Sequence, residues 1–209
     1  IVIGAADSAT INITDDDVPT GVIVAAINAG GGNVTQNGVD FVADTFFTGG
    51  SKFFDNTAGN GVQPVFDGTI YESERTSKSF SYAIPVDPGQ YTLELYFAEL
   101  FFPRSNGGDG IGARVFDVSV EGQLVLDDFD ILAATGGDFN QPVTFVVPNN
   151  IDPGTFGDAN ALDISFSASQ NNAKLSGLVV RTAEAIPTNK EVTISPGLDA
   201  AEPSTGSQF

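Results

Sequence analysis

The sequence predicts an all-β chain, a β-sandwich of short antiparallel strands with long loops. Three observations carry that prediction. Apolar residues recur at every second position in several separate segments, which is the period of a strand with one buried face. Gly, Pro, Asn and Asp turns separate those segments at short intervals. No amphipathic run of helical period exceeds two turns, so nothing competes with the strands.

Taken in order, residues 9–14 alternate, and Asp15-Asp16-Asp17 stops them before the linker Val18-Pro19-Thr20-Gly21. Residues 22–27 form an apolar run that meets Asn28-Ala29-Gly30-Gly31-Gly32, a buried strand ending in a glycine turn. No Lys and no helical pattern follow the glycines, so they do not read as a phosphate cradle. Residues 40–69 read as irregular, rich in Gly and in Phe41, Phe46, Phe47, Phe53, Phe54 and Phe66. A loop of that length usually serves a function or supplies its own packing. Phe80, Tyr82, Ile84 and Val86 then share one face, and Asp87-Pro88-Gly89 turns the chain. Tyr91, Leu93, Leu95 and Phe97 share the next. Residues 103–113 form a Gly-rich loop, Phe116, Val118 and Val120 alternate, and Gly122 turns into residues 124–126. Residues 143–147 precede Pro148, Leu162, Ile164 and Phe166 alternate, and residues 175–180 close the set as one strand.

Composition narrows the function. Twenty-seven Asp and Glu against eight Lys and Arg give a formal charge of -19, which repels nucleic-acid phosphates and anionic lipid. A neutral partner, a cation or a polyol fits better. The absence of Cys and His excludes disulfides, thiolate and imidazole nucleophiles and His or Cys metal sites. No cofactor is expected, although calcium with oxygen ligands stays open; Asp127-Asp128-Phe129-Asp130 reads better as solvated turn acids than as a calcium loop. No apolar run approaches the roughly 20 residues of a membrane span. The chain starts at Ile1, as a processed chain or a piece of a longer one would. Acidic, Cys-free and rich in Gly, Asn and Thr, it reads as bacterial material at the cell surface or outside the cell.

The candidate binding residues stand at a strand end. Residues 95–102 begin as an alternating strand and finish in Phe101-Phe102, just before Pro103. Neighbouring strand side chains face opposite ways, and proline ends the strand, so one or both rings are offered at a loop edge. Tyr71 and Phe97 are expected in the core. Glu72, Glu74 and Arg75 are expected in an internal cluster, with 72 and 74 on one strand face and Arg75 serving Glu99 or Asp117.

Several ordered pieces resemble one known family. These are Ile27-Asn28-Ala29-Gly30-Gly31, Phe41-Val42-Ala43-Asp44, Ile70-Tyr71-Glu72-Ser73-Glu74-Arg75, Tyr96-Phe97-Ala98-Glu99, Arg114-Val115-Phe116-Asp117-Val118, Asp128-Phe129-Asp130-Ile131 and Asn172-Ala173-Lys174-Leu175. Together they resemble malectin-like carbohydrate-binding domains over residues 21–183. The resemblance implies a jelly-roll-like sandwich, with glucose-containing oligosaccharide bound by aromatics and an acid at one loop-rich end. It places sugar contacts at Phe101 and Phe102, and at Asn171 where the family has an acid. Phe53 or Phe54 corresponds to an earlier loop aromatic, and Thr76 stands where the family usually has another. Asn172, Glu99, Arg104 and backbone groups would add hydrogen bonds to hydroxyls. Residues 10–17 resemble the closing strand of a Calx-β domain.

The expected organisation is therefore a Calx-β-like strand and linker (1–17), the sandwich (18–183) and a C-terminal linker or pairing tail (184–209). The function expected is non-catalytic binding of a neutral carbohydrate by a secreted or cell-surface protein. The alternative is a structural module of an adhesin or filament, self-associating or pairing with an adjacent domain through residues 1–14 and 190–196.

Overall fold

The computed structural model describes residues 21–54, 69–102, 110–154 and 160–183. Its strands are β1 (Ile23–Asn28), β2 (Val34–Gln36), β3 (Val39–Ala43), β4 (Phe47–Phe54), β5 (Ser73–Pro85), β6 (Tyr91–Ala98), β7 (Val115–Val120), β8 (Gln123–Phe129), β9 (Pro142–Ile151), β10 (Ala161–Gln170), β11 (Ala173–Leu175) and β12 (Gly177–Thr182). One sheet runs β2-β3-β1-β12-β6-β9; the other runs β11-β5-β10-β7-β8, with β4 also paired to β5. The pairings are antiparallel except β1 with β3, which is parallel. The chain is thus the expected all-β sandwich. Among the described residues the helical ones are a one-turn α1 (Ile131–Ala134), capped by Asp130, and a 3-10 turn at Ile70–Glu72.

The two-residue period sets the register. Phe80, Tyr82 and Ile84 on β5 stand opposite Phe166, Ile164 and Leu162 on β10, with Phe80 and Phe166 stacked at 4.4 Å. From the facing sheet come Leu93, Leu95 and Phe97 of β6. Phe97 lies 5.8 Å from Phe116 and 5.2 Å from Phe129. A second cluster holds Tyr71 with Ala26, Phe41, Ile70, Ala98, Leu100 and Val179. Its strand residues have the opposite parity, so it covers the other face of the first sheet.

Three elements differ from expectation. Residues 40–69 contain β4 and most of β3. Gly49 and Gly50, at φ 77° and 70°, interrupt β4 where its register with β5 shifts, Gly50 standing alone opposite Ser77, Lys78 and Ser79, and these left-handed glycines break the apolar alternation. Residues 175–180 are not one strand: β11 joins the second sheet and β12 the first, with Ser176 between them. Glu72 ends the 3-10 turn rather than lying on a strand.

The triple glycine serves close packing. Gly30 has φ 73°, and a Cβ there would sit 2.2 Å from the Glu74 carbonyl oxygen. Its N–H donates to Asp44 Oδ2 at 2.6 Å. Residues 1–17 with their Calx-β resemblance, the tail from 184 including 190–196, and Phe66 and Arg104 lie outside the described residues.

Candidate functional site

One end of the second sheet carries a cleft of about 190 Å3 lined by Phe53, Glu74, Thr76, Phe101, Arg114, Asn171 and Asn172. Each comes from a different local decision. Phe53 lies near the end of the edge strand β4 and is 40% exposed. Glu74 and Thr76 sit two apart on β5 and so point the same way, toward the cleft. Arg114 immediately precedes β7. Asn171 and Asn172 form the turn between β10 and β11. Asn171 has φ 53°, a left-handed conformation asparagine tolerates, and its Oδ1 accepts from the Asn172 N–H at 2.8 Å.

The strand-end pair separates into two environments. Glu99 Oε1 accepts the N–H groups of Phe101 at 2.9 Å and Phe102 at 3.2 Å, which turns the chain just past β6. Phe101 is half-buried and lines the cleft. Phe102 is buried, edge-on to Phe101 at 4.8 Å, with the Arg114 guanidinium 5.4 Å from its ring centroid. The structure thus brings Phe53, Phe101, Asn171 and Asn172 together and keeps Phe102 beneath them. The Phe54 side chain lies outside the described residues.

Beneath the cleft lies a balanced set of two acids and two cations. Lys174, fully buried on β11, meets Glu74 Oε2 and stands 3.7 Å from Glu99 Oε1. Arg114 Nε pairs with Glu99 Oε2 at 2.6 Å, and another guanidinium nitrogen donates to the Asn172 carbonyl. Burial pushes the Glu74 carboxyl up, and Lys174 only partly offsets it. Burial would raise Glu99 too, but Lys174, Arg114 and the Phe101 N–H hold it below the usual glutamate value.

Two expectations about charged groups need correction. Arg75 serves neither Glu99 nor Asp117. It pairs with Asp44 at 2.6 Å, donates to the Gly49 and Gly50 carbonyls, and stacks on Phe47 at 3.2 Å. Strand geometry explains this, because adjacent residues face opposite ways: Glu74 takes the face that carries the cleft and Arg75 the opposite face, with Asp44 and Phe47. Glu99 is 1% exposed, is engaged with Phe101, Phe102 and Arg114, and does not line the cleft. Asp128 donates its N–H to Asp117 Oδ1, and Asp130 accepts from Leu132, Ala133 and Gly112; both act as local ties.

Thr76 lines the cleft, at the position where the resemblance puts an aromatic, whereas nothing in the sequence analysis places Glu74 or Arg114 there. One signal was available. Lys174 sits between Ala173 and Leu175, and a lysine in an apolar strand demands a buried acid nearby.

Chemically, the cleft offers two aromatic faces and amide, hydroxyl, carboxylate and guanidinium groups around a small volume. It is below the roughly 300–1,000 Å3 of drug-sized sites, room for about one pyranose ring.

A family model described as Malectin domain matches residues 23–178. The chain is similar to malectin of Mus musculus, 32% identical over 123 residues, covering 54% of this chain and 39% of that one. It is also similar to a probable leucine-rich repeat receptor-like serine/threonine-protein kinase of Arabidopsis thaliana, 29% identical over 139 residues, covering 53% of this chain and 14% of the kinase. It therefore spans well under half the length of these relatives. The crystal structure of the ANX2 ectodomain from Arabidopsis thaliana has the same fold, with a TM-score of 0.59 at 16% identity over 78% of this chain and 50% of that one.

Proposed function

Because the chain belongs to the malectin domain family, we propose that it is a non-catalytic carbohydrate-binding module of a secreted or cell-surface bacterial protein, taking a neutral glycan. The observation that carries this reading is the convergence of Phe53, Phe101, Asn171 and Asn172, from three separate parts of the chain, on one small cleft. A sugar ring presents an apolar C–H face and a rim of hydroxyls; the two phenylalanines suit the first and the asparagines the second. The charges below the cleft cancel, which favours a neutral ligand. The ectodomain neighbour supports an extracellular or surface location. No helix among the described residues is long and apolar enough to cross a membrane.

Glycosidase chemistry needs two carboxylates flanking the scissile bond. Among the described lining residues only Glu74 carries one, and Lys174 holds it. The adhesin or filament alternative rests on residues 1–14 and 190–196, which lie outside the described residues, and no described contact favours it. The test is a glycan array followed by calorimetry with maltose and cellobiose. A neutral saccharide should bind, and Phe101→Ala should remove the binding. An array with no saccharide signal overturns the reading.

A further inference from the structure

The two walls of the cleft are far apart in sequence and touch through two buried side chains. Glu99 uses one oxygen for the Phe101 and Phe102 N–H groups and the other for Arg114 Nε. Arg114 uses a second nitrogen for the carbonyl of Asn172. Both side chains are about nine-tenths or more buried. The connection is therefore continuous: aromatic wall, Glu99, Arg114, asparagine wall.

We propose that Glu99 and Arg114 are positioning residues, a strut that couples the Phe101-Phe102 segment to the Asn171-Asn172 turn and sets the width of the cleft. Charge balance alone does not require this arrangement. Lys174 already stands between Glu74 and Glu99, and a lysine at 114 would neutralise Glu99 equally well. What arginine adds is its fork, which bonds a carboxylate and a carbonyl at the same time in fixed geometry. An ammonium carries its three donors on one nitrogen, so it does not span two acceptors that are placed for two different guanidinium nitrogens. The strut rests on the saccharide reading only for its ligand arm, since the coupling of the walls exists with or without sugar.

Two variants of the full chain separate coupling from local contact. Arg114→Lys keeps the charge and loses the second bond. Glu99→Gln keeps an oxygen for the two backbone N–H groups but turns an NH2 toward Arg114. The coupling predicts crossed effects. Arg114→Lys should raise amide exchange at Phe101 and Phe102, which arginine does not bond; Glu99→Gln should raise 15N relaxation disorder at Asn171 and Asn172, which Glu99 does not bond. Maltose affinity should fall about tenfold in Arg114→Lys, while the melting temperature falls by no more than the few degrees that one lost hydrogen bond costs. If exchange changes only beside each substituted residue, or if Phe101 and Phe102 amides in Arg114→Lys exchange as in wild type, the strut is overturned. Should Glu99→Gln not fold, Arg114→Lys decides alone. A wild-type chain that binds no maltose or other saccharide removes the carbohydrate reading, and the crossed exchange effects still decide the strut.

Discussion

Across the middle of the sandwich Phe97, Phe116 and Phe129 meet ring to ring, whereas at the cleft end similar depth is filled by Glu74, Glu99, Arg114 and Lys174. The two regions hold the fold by different physics. Apolar packing is non-directional, and its strength follows the area removed from water. The charged set is directional: each group is satisfied only while its partner stands at the right place, and losing one strands another. The middle therefore supplies stability, and the cleft end supplies geometry. An apolar replacement of the four charges could be as stable and would leave nothing to hold Phe101 opposite Asn171.

The largest expected effects test whether both regions count as core. Phe97→Ala should cost about 3–5 kcal/mol through the cavity it leaves among the rings. Lys174→Met removes little volume, yet it leaves Glu74 and Glu99 buried with Arg114 alone, and should also cost about 3–5 kcal/mol. Urea denaturation measures both. A loss under about 1 kcal/mol for Lys174→Met would mean that the acids escape to water and the charged end is not a core. Glu74→Leu together with Lys174→Met sharpens the comparison, because stability should largely return with the Glu99–Arg114 pair still in place.

The next effect separates two neighbours. Phe102→Ala should cost about 3 kcal/mol, because that ring is buried under Arg114. Phe101→Ala should cost under about 1 kcal/mol and yet weaken saccharide binding more than tenfold, the pattern of an aromatic anchor. Thermal melts and calorimetry on the two variants give both numbers. Equal stability losses at 101 and 102 would place both rings in the core and remove the platform.

Acid distinguishes the regions in a third way, since the aromatic middle does not titrate there. Glu99 has a lowered folded pKa, so its contribution is fully present above the unfolded value of about 4.3 and is lost as pH falls through the lower folded value. Glu74 has a raised folded pKa, so the native state takes its proton first, and through this group stability rises as pH falls toward about 4.3. Side-chain carboxyl NMR should show the two glutamates titrating on opposite sides of the ordinary range. Coincident titration would dissolve the asymmetry between them.

Much of the middle is legible in the sequence because burial on one sheet face imposes a two-residue period. Phe80-Tyr82-Ile84 and Leu162-Ile164-Phe166 could be read as strands, and they pair in register. Asn37-Gly38, with φ 52° and 78°, is an equally readable hairpin turn between β2 and β3 that the period alone passes over. β4 was hidden because its two glycines break the pattern. At the cleft the residue types were legible and the pairings were not. Arg75 had several acids to choose from, and its choice of Asp44 follows from which side of β5 it leaves. Phe101 and Phe102 share their N–H bonds to Glu99 and differ in burial and in the Arg114 guanidinium beside the Phe102 ring, a partner that no local pattern announces.

Thr76 gives the smallest expected effect and the finest test of the division between frame and platform. It lines the cleft two residues from Glu74, and its Oγ1 donates to the Ala173 carbonyl at 3.0 Å. It thus belongs to both regions: its hydroxyl ties β5 to β11, and its position is where the family resemblance places an aromatic. Thr76→Tyr should lose that hydrogen bond, at about 1 kcal/mol of stability. It should also add a third ring beside Phe53 and Phe101, worth about 0.5–1.5 kcal/mol of binding, a few-fold gain for a neutral saccharide. Calorimetry against wild type reads the gain and a thermal melt reads the loss. A tyrosine that lowers stability without raising affinity would show that the cleft at Thr76 serves the frame, with the sugar platform confined to Phe53 and Phe101.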